Sequence, residues 1–197
     1  MNRNDKNPKL NSDAPVGPAI GLLELCSIAR GIEVADAILW ESQIEMLFCT
    51  PVQPGKYVML FTGSVEDLRS AIRRGAEIAQ ADLVDQLLIP SVDPQIELGL
   101  RRDGNINGTL DALGIVETKT VASSVMAADV ALKRATIDLI ELRIANGLGG
   151  KSYFTVTGEV SDVRSSVTAA AQYAEKQGQL ARQVVIPRPH NDLVRHL

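Results

Sequence analysis

The sequence predicts an α+β protein made by tandem duplication of one ferredoxin-like unit. Three observations lead there. The chain is written twice, each copy alternates strand-like and helix-like segments in the order β-α-β-β-α-β, and a Gly/Asn-rich stretch separates the copies. That order describes a split-βαβ arrangement, with helices on one face of a mainly antiparallel sheet.

The duplication is read by superposition. GLLELCSIARGIEVADAIL meets GIVETKTVASSVMAADVAL, placing Gly21 on Gly114, Glu24 on Glu117 and Ala35-Asp36 on Ala128-Asp129, an offset of 93. GKYVMLFTGSVEDLRSAI meets GKSYFTVTGEVSDVRSSV at an offset of 95, with Lys56 on Lys151 and Asp67 on Asp162. LLIP meets VVIP at an offset of 97. Internal repetition at matched spacing is the first thing to seek, because it sets the whole architecture.

Each unit opens with a short apolar strand, GLLEL or GIVET. Ile28, Ile32, Ala35 and Leu39 then recur at helical spacing, as do Val121, Val125, Ala128 and Leu132. IEMLFC and IDLIEL are the next strands. KYVMLFTG and KSYFTVTG, β-branched and aromatic and closed by glycine, are the third. A second helix follows, capped in the first copy by Ser64 with Asp67 three residues on. Its apolar face is Leu68, Ile72 and Ala79, repeated as Val163, Val167 and Ala174. A fourth strand ends at Ile-Pro, and a short helix closes each unit.

These readings divide the chain into a disordered polar tail (1–18), a first domain (19–100), a linker (101–111, boundary near Gly108) and a second domain (112–197). A net charge of −4 without a long Lys/Arg run gives no concentrated basic face, so nucleic acid is not an expected partner. No apolar run approaches the roughly 20 residues that span a bilayer, and the polar N-terminus lacks an apolar signal core. Cys26 and Cys49 form neither a disulfide framework nor a metal-site spacing and are expected as buried, reduced thiols.

One stretch suggests chemistry. ANGLGGKS, residues 145–152, approximates a phosphate-binding loop. Such a loop must join a strand to a helix, so that its amides and the helix N-terminus face the anion together. Here SYFTVTG follows, a run of strand formers, and the first copy carries PVQPGKY instead. The context is strand-loop-strand, which argues against nucleotide binding and leaves a glycine hairpin loop. Glu24 and Glu117 recur in separate units and read as structural hydrogen-bonding groups. His190 and His196 have no nucleophile or ligand set around them. No catalytic constellation stands out, so no enzyme is expected.

In their order and repetition, the two strand openings, Ala-Asp-Ala/Val in the first helix, Gly-Lys after a variable loop, Thr-Gly-x-Val-x-Asp-Leu/Val and the closing VIPRPH resemble the bacterial microcompartment shell domain. The likeness runs from about Ala19 to the C-terminus and is to the non-permuted, tandem-domain type. It implies a flat cyclic homotrimer in which six domains make a pseudo-hexagonal tile. Tiles would meet other shell proteins edge to edge, in a shell in the bacterial cytoplasm.

The resemblance also implies a central pore for small metabolites, lined by Pro51, Val52, Gln53 and Pro54 and by Ala145, Asn146, Gly147, Leu148 and Gly149. Backbone amides around it would favour anionic or polar molecules. Cluster-bearing members of the family carry a cysteine immediately before Pro-Gly-Lys. This chain has Gln53 there, so no cofactor or metal is expected. The tile edge is expected at Lys133 and Arg188, with Trp40 and Ser91 at the corresponding first-copy positions. A small-molecule-binding regulator with tandem ferredoxin-like domains, and an electron-transfer shell component, are the competing readings.

Overall fold

The computed structural model describes residues 11, 16–101, 110–144 and 148–194. The first unit comprises β1 (Ile20–Leu25), α1 (Ile28–Glu41), β2 (Ile44–Val52), β3 (Lys56–Gly63), α2 (Val65–Ala79), β4 (Leu83–Ile89) and α3 (Gln95–Arg101). The second repeats it as β5 (Ala112–Thr118), α4 (Val121–Arg134), β6 (Asp138–Ile144), β7 (Ser152–Gly158), α5 (Val160–Lys176), β8 (Leu180–Pro187) and α6 (Asn191–Val194).

The sheets run β2-β3-β1-β4 and β6-β7-β5-β8, with every neighbouring pair antiparallel. Even their irregularities repeat. The register shifts at Glu24/Leu25 and at Glu117/Thr118, and again at Met46/Phe48 and Leu139/Glu141. A bulge re-aims the side chains beside it and so fixes where a strand end points. The fold is thus the α+β tandem duplication expected.

Helix starts follow local chemistry. The Ser64 hydroxyl accepts from the Asp67 amide at 3.1 Å and donates to its carboxylate at 2.6 Å. Ser27 and Thr120 cap α1 and α4 in the same way, accepting from the Arg30 and Ser123 amides. A short 3-10 turn, Gln80–Asp82, joins α2 to β4 through a positive φ at Gln80, which the apolar pattern does not register.

One apolar cluster runs through both units. It joins Leu22, Val58, Leu60 and Ile96 of the first to Val116, Val125, Leu142 and Phe154 of the second. Val16 belongs to it and Pro18 accepts from the Val92 amide, so ordered packing begins ahead of Ala19. Across the unit boundary, α3 packs on β6, and α4 packs on β4 and β1.

Candidate functional site: paired loops and the junction behind them

The β2–β3 and β6–β7 loops come from different copies and lie against each other. In the first, the Gly55 amide donates to the Val52 carbonyl at 2.9 Å. In the second, the Lys151 amide donates to the Leu148 carbonyl at 3.2 Å. Gly150 sits at φ 85°, and a Cβ there would lie 2.9 Å from Pro54 Cδ. Glycine is required by both backbone conformation and space. Pro51, Gln53, Pro54 and Gly149 are exposed, Leu148 is half-buried, and Val52 is buried with the core. Ala145, Asn146 and Gly147 lie outside the described residues. Strand β7 begins at Ser152, so no helix follows this loop.

Lys56 ties the loops to the junction between the units. Its ammonium donates to Glu24 Oε1 at 2.8 Å, to the Gly150 carbonyl at 3.3 Å and to the Lys119 carbonyl at 3.4 Å. The other oxygen of Glu24 accepts from the Val121 amide at 2.7 Å and the Ala122 amide at 3.4 Å. Glu24 of the first unit thereby satisfies two orphan amides at the start of α4 in the second. Burial pushes its carboxyl above the ordinary value, and the Lys56 bond and the two amides only partly offset that.

Beside it, Asp85 Oδ2 accepts from the Thr120 and Ser123 hydroxyls at 2.5 and 3.0 Å. Further along the junction, Asp129 accepts from the Asp93 amide at 2.9 Å and from Lys133 Nζ at 2.6 Å. Lys133 also donates to the Ser91 carbonyl. The Gln95 carboxamide bridges the edge of β6, donating to Ile137 O at 3.1 Å and accepting from Leu139 N at 2.9 Å. Lys133 of the second copy and Ser91 of the first, both expected at the tile edge, are therefore bonded to each other.

The remaining expected edge residues stand open. Trp40 is 86% exposed on α1. Arg188 is exposed at φ 48° and donates its amide to Asp111 O. In the first copy the corresponding bond comes from Val92 to Pro18 O. Pro189, in the place of Val92, has no N–H, so the preceding residue turns to supply one.

The cysteines require a correction. Cys26 is exposed, its thiol 3.5 Å from Asp82, because β1 ends at Leu25 and the cysteine begins the turn into α1. Cys49 is half-buried and its thiol donates to the Tyr57 hydroxyl at 3.2 Å. Gln53 at the loop tip offers a carboxamide, so this loop has no thiolate donor for an iron–sulfur cluster.

The BMC domain family model matches residues 19–92 and 112–189. The chain belongs to the BMC-domain family of bacterial microcompartment shell proteins. Bacterial microcompartment shell protein PduT of Citrobacter freundii is 38% identical over 91% of this chain and 97% of its own length. Carboxysome assembly protein CcmO of Synechocystis is 28% identical over 94% of this chain and 66% of its own length. The crystal structure of a microcompartment protein from Desulfitobacterium hafniense matches this shell protein with a TM-score of 0.78 and 44% identity. It covers 90% of this chain and 98% of that one. No helix among the described residues is long and apolar enough to cross a membrane.

The shell-domain repeat makes one asymmetry visible. Val125 on α4 is 0% exposed, whereas Ile32, its counterpart on α1, is 56% exposed. Val121 and Leu132 are likewise buried, while Ile28 and Leu39 are open. The reverse holds on the opposite surface. Leu87 on β4 is 5% exposed and Ile96 on α3 is buried, yet their counterparts Val184 and Leu193 are exposed, Val184 at 41%. Sequence pattern alone could not find this, since equal periodicity marks both copies; only the contact between units separates them.

Proposed function

We infer that three copies of this shell protein close into a cyclic homotrimer, a tile of six domains around a central opening. The observation that carries the reading is the asymmetry of α1 and α4. The first unit covers the apolar face of α4, leaving α1 with the same face uncovered, and the second unit presents the uncovered counterpart of the covering surface. A chain with complementary unfilled surfaces at its two ends associates head to tail, and such a junction ends in a closed ring when its rotation permits. Two domains per chain make the six-domain ring of the family resemblance a trimer.

Around the axis of that ring the paired loops would line a pore: Pro51, Gln53 and Pro54 from the first copy, and Leu148 and Gly149 from the second. The chemistry at the opening is backbone amide and the Gln53 carboxamide, which suits small polar metabolites. The role is structural and transport-related, not catalytic, in a shell wall built with other shell proteins in the bacterial cytoplasm. The relatives named as shell and assembly proteins support it. Light scattering tests the reading: a mass of three 21.2 kDa chains supports it, and a monomer at micromolar concentration contradicts it.

A further inference from the structure

The junction within the chain is a template for the junction between chains, and the two differ in a way that assigns specific residues. This inference rests on the cyclic reading above and names the contacts that would make it.

Within the chain, Glu24 and Lys56 form a unit in which the carboxylate caps α4 and the ammonium reaches the Lys119 and Gly150 carbonyls. The second copy holds the same unit ready. Lys151 Nζ donates to Glu117 Oε1 at 3.0 Å, with the lysine exposed and the carboxylate half-buried. The helix that corresponds to α4 is α1. Its cap, Ser27, satisfies the Arg30 amide just as Thr120 satisfies that of Ser123. Ile28 and Ala29 then correspond to Val121 and Ala122, whose amides Glu24 takes. Lys119 corresponds to Cys26, and Gly150 to Gly55.

The other end of the junction differs in kind. Within the chain, Lys133 on the helix supplies the cation, bonded to Asp129 and to the carbonyl of Ser91. Between chains the same three positions are Trp40, Asp36 and Arg188. The cation has moved from the helix to the strand end, and an indole stands where the lysine was. A guanidinium over an indole face is a favourable cation–π contact, tryptophan being the best ring for it, and Asp36, one turn before Trp40, is placed to neutralise it.

We propose that Glu117 of one chain caps α1 of a second copy at its Ile28 and Ala29 amides, and that Arg188 of the first chain stacks on Trp40 of the second. Lys151 then donates to the Cys26 and Gly55 carbonyls across the seam. The match is not complete, because Arg182 stands where Asp85 does in the first copy, so the hydroxyl–carboxylate contacts there are not repeated. The chain-to-chain junction is therefore a distinct lock and not a second example of the internal one.

Trp40 is the only tryptophan, so the emission comes from this helix end alone. Sedimentation and fluorescence are followed together as the full-length protein is diluted. Blue-shifted emission in the assembly, moving to that of an exposed indole on dissociation, is the expected result. Arg188→Ala should leave the assembled protein with the emission of an exposed indole. Glu117→Ala should raise the concentration of half-dissociation by about tenfold or more, and Glu117→Gln, which keeps an acceptor, by less. Arg188 is exposed and Glu117 only half-buried in the single chain, so circular dichroism should be unchanged. An independent arm uses wild-type protein and a short amine-to-thiol cross-linker, which should join Cys26 of one chain to Lys151 of the next. An assembled wild type in which all three variants keep its dissociation and emission, and cross-links do not join Cys26 to Lys151, overturns this lock and leaves the trimer standing. A monomeric wild type overturns the trimer itself.

Discussion

Lys56 on β3 donates to Glu24 on β1 at 2.8 Å, and the far oxygen of that carboxylate closes the start of α4 in the other half of the chain. One buried acid thus joins the lysine that opens β3, its own strand and the neighbouring unit's helix. Replacing Glu24 with alanine takes the carboxylate from Lys56, leaving it two carbonyls, and strands two amides. Breaking a buried pair by removing one partner costs about 3–5 kcal/mol, so Glu24→Ala should lower the urea midpoint sharply. Glu24→Gln, which retains an acceptor for the amides, should lose less.

The same acid sets a pH dependence. Its folded-state carboxyl lies above the ordinary value, with burial as the main cause. The folded state therefore binds the proton more tightly than the unfolded one. The stability this contributes is fully present below the ordinary value of 4.5 and is lost as pH rises through the elevated folded value. Compared with Glu24→Gln, wild type should gain stability as pH falls from 8 toward 4.5. Equal slopes for the two proteins in urea titrations would contradict this.

Gly149 and Gly150 separate conformation from contact. Both have positive φ, but a Cβ on Gly149 meets nothing within 4 Å, whereas one on Gly150 meets Pro54 Cδ at 2.9 Å. Gly149→Ala should cost about 1 kcal/mol through backbone strain alone. Gly150→Ala should cost more and push the two loops apart. Equal costs in denaturant unfolding would mean that the loops are not in contact.

The donor set at the loop tip predicts a colourless protein. Gln53 cannot serve as a thiolate, and the Cys49 thiol is turned to Tyr57. Iron analysis of the purified protein should show only background metal. A stoichiometric iron content would contradict this assignment.

Much of this is legible in the sequence. The repeat located every strand and long helix, Ser64 marked its own helix, and the strand formers after Lys151 removed the phosphate loop. Glu24 is readable as a structural acid but not as the partner of α4, because that helix lies in the other unit. Asp85 and Gln95 carried no signal, since an isolated polar residue beside a strand end has meaning only once the units dock. The exposure of Cys26 is not legible, because an apolar run does not reveal where the strand stops. Val16 shows the converse, a single apolar residue in a polar segment that finds the core.

The central claim is that α1 is an unfilled copy of the covered α4 face. Ile32→Asp places a charge on that open face without touching the interior of the single chain, where Ile32 is 56% exposed. The decisive measurement is sedimentation of wild type and Ile32→Asp at equal micromolar concentration. The account predicts a mass of three chains for wild type and a folded single chain for the variant. A trimeric Ile32→Asp protein, or a monomeric wild type, would contradict it.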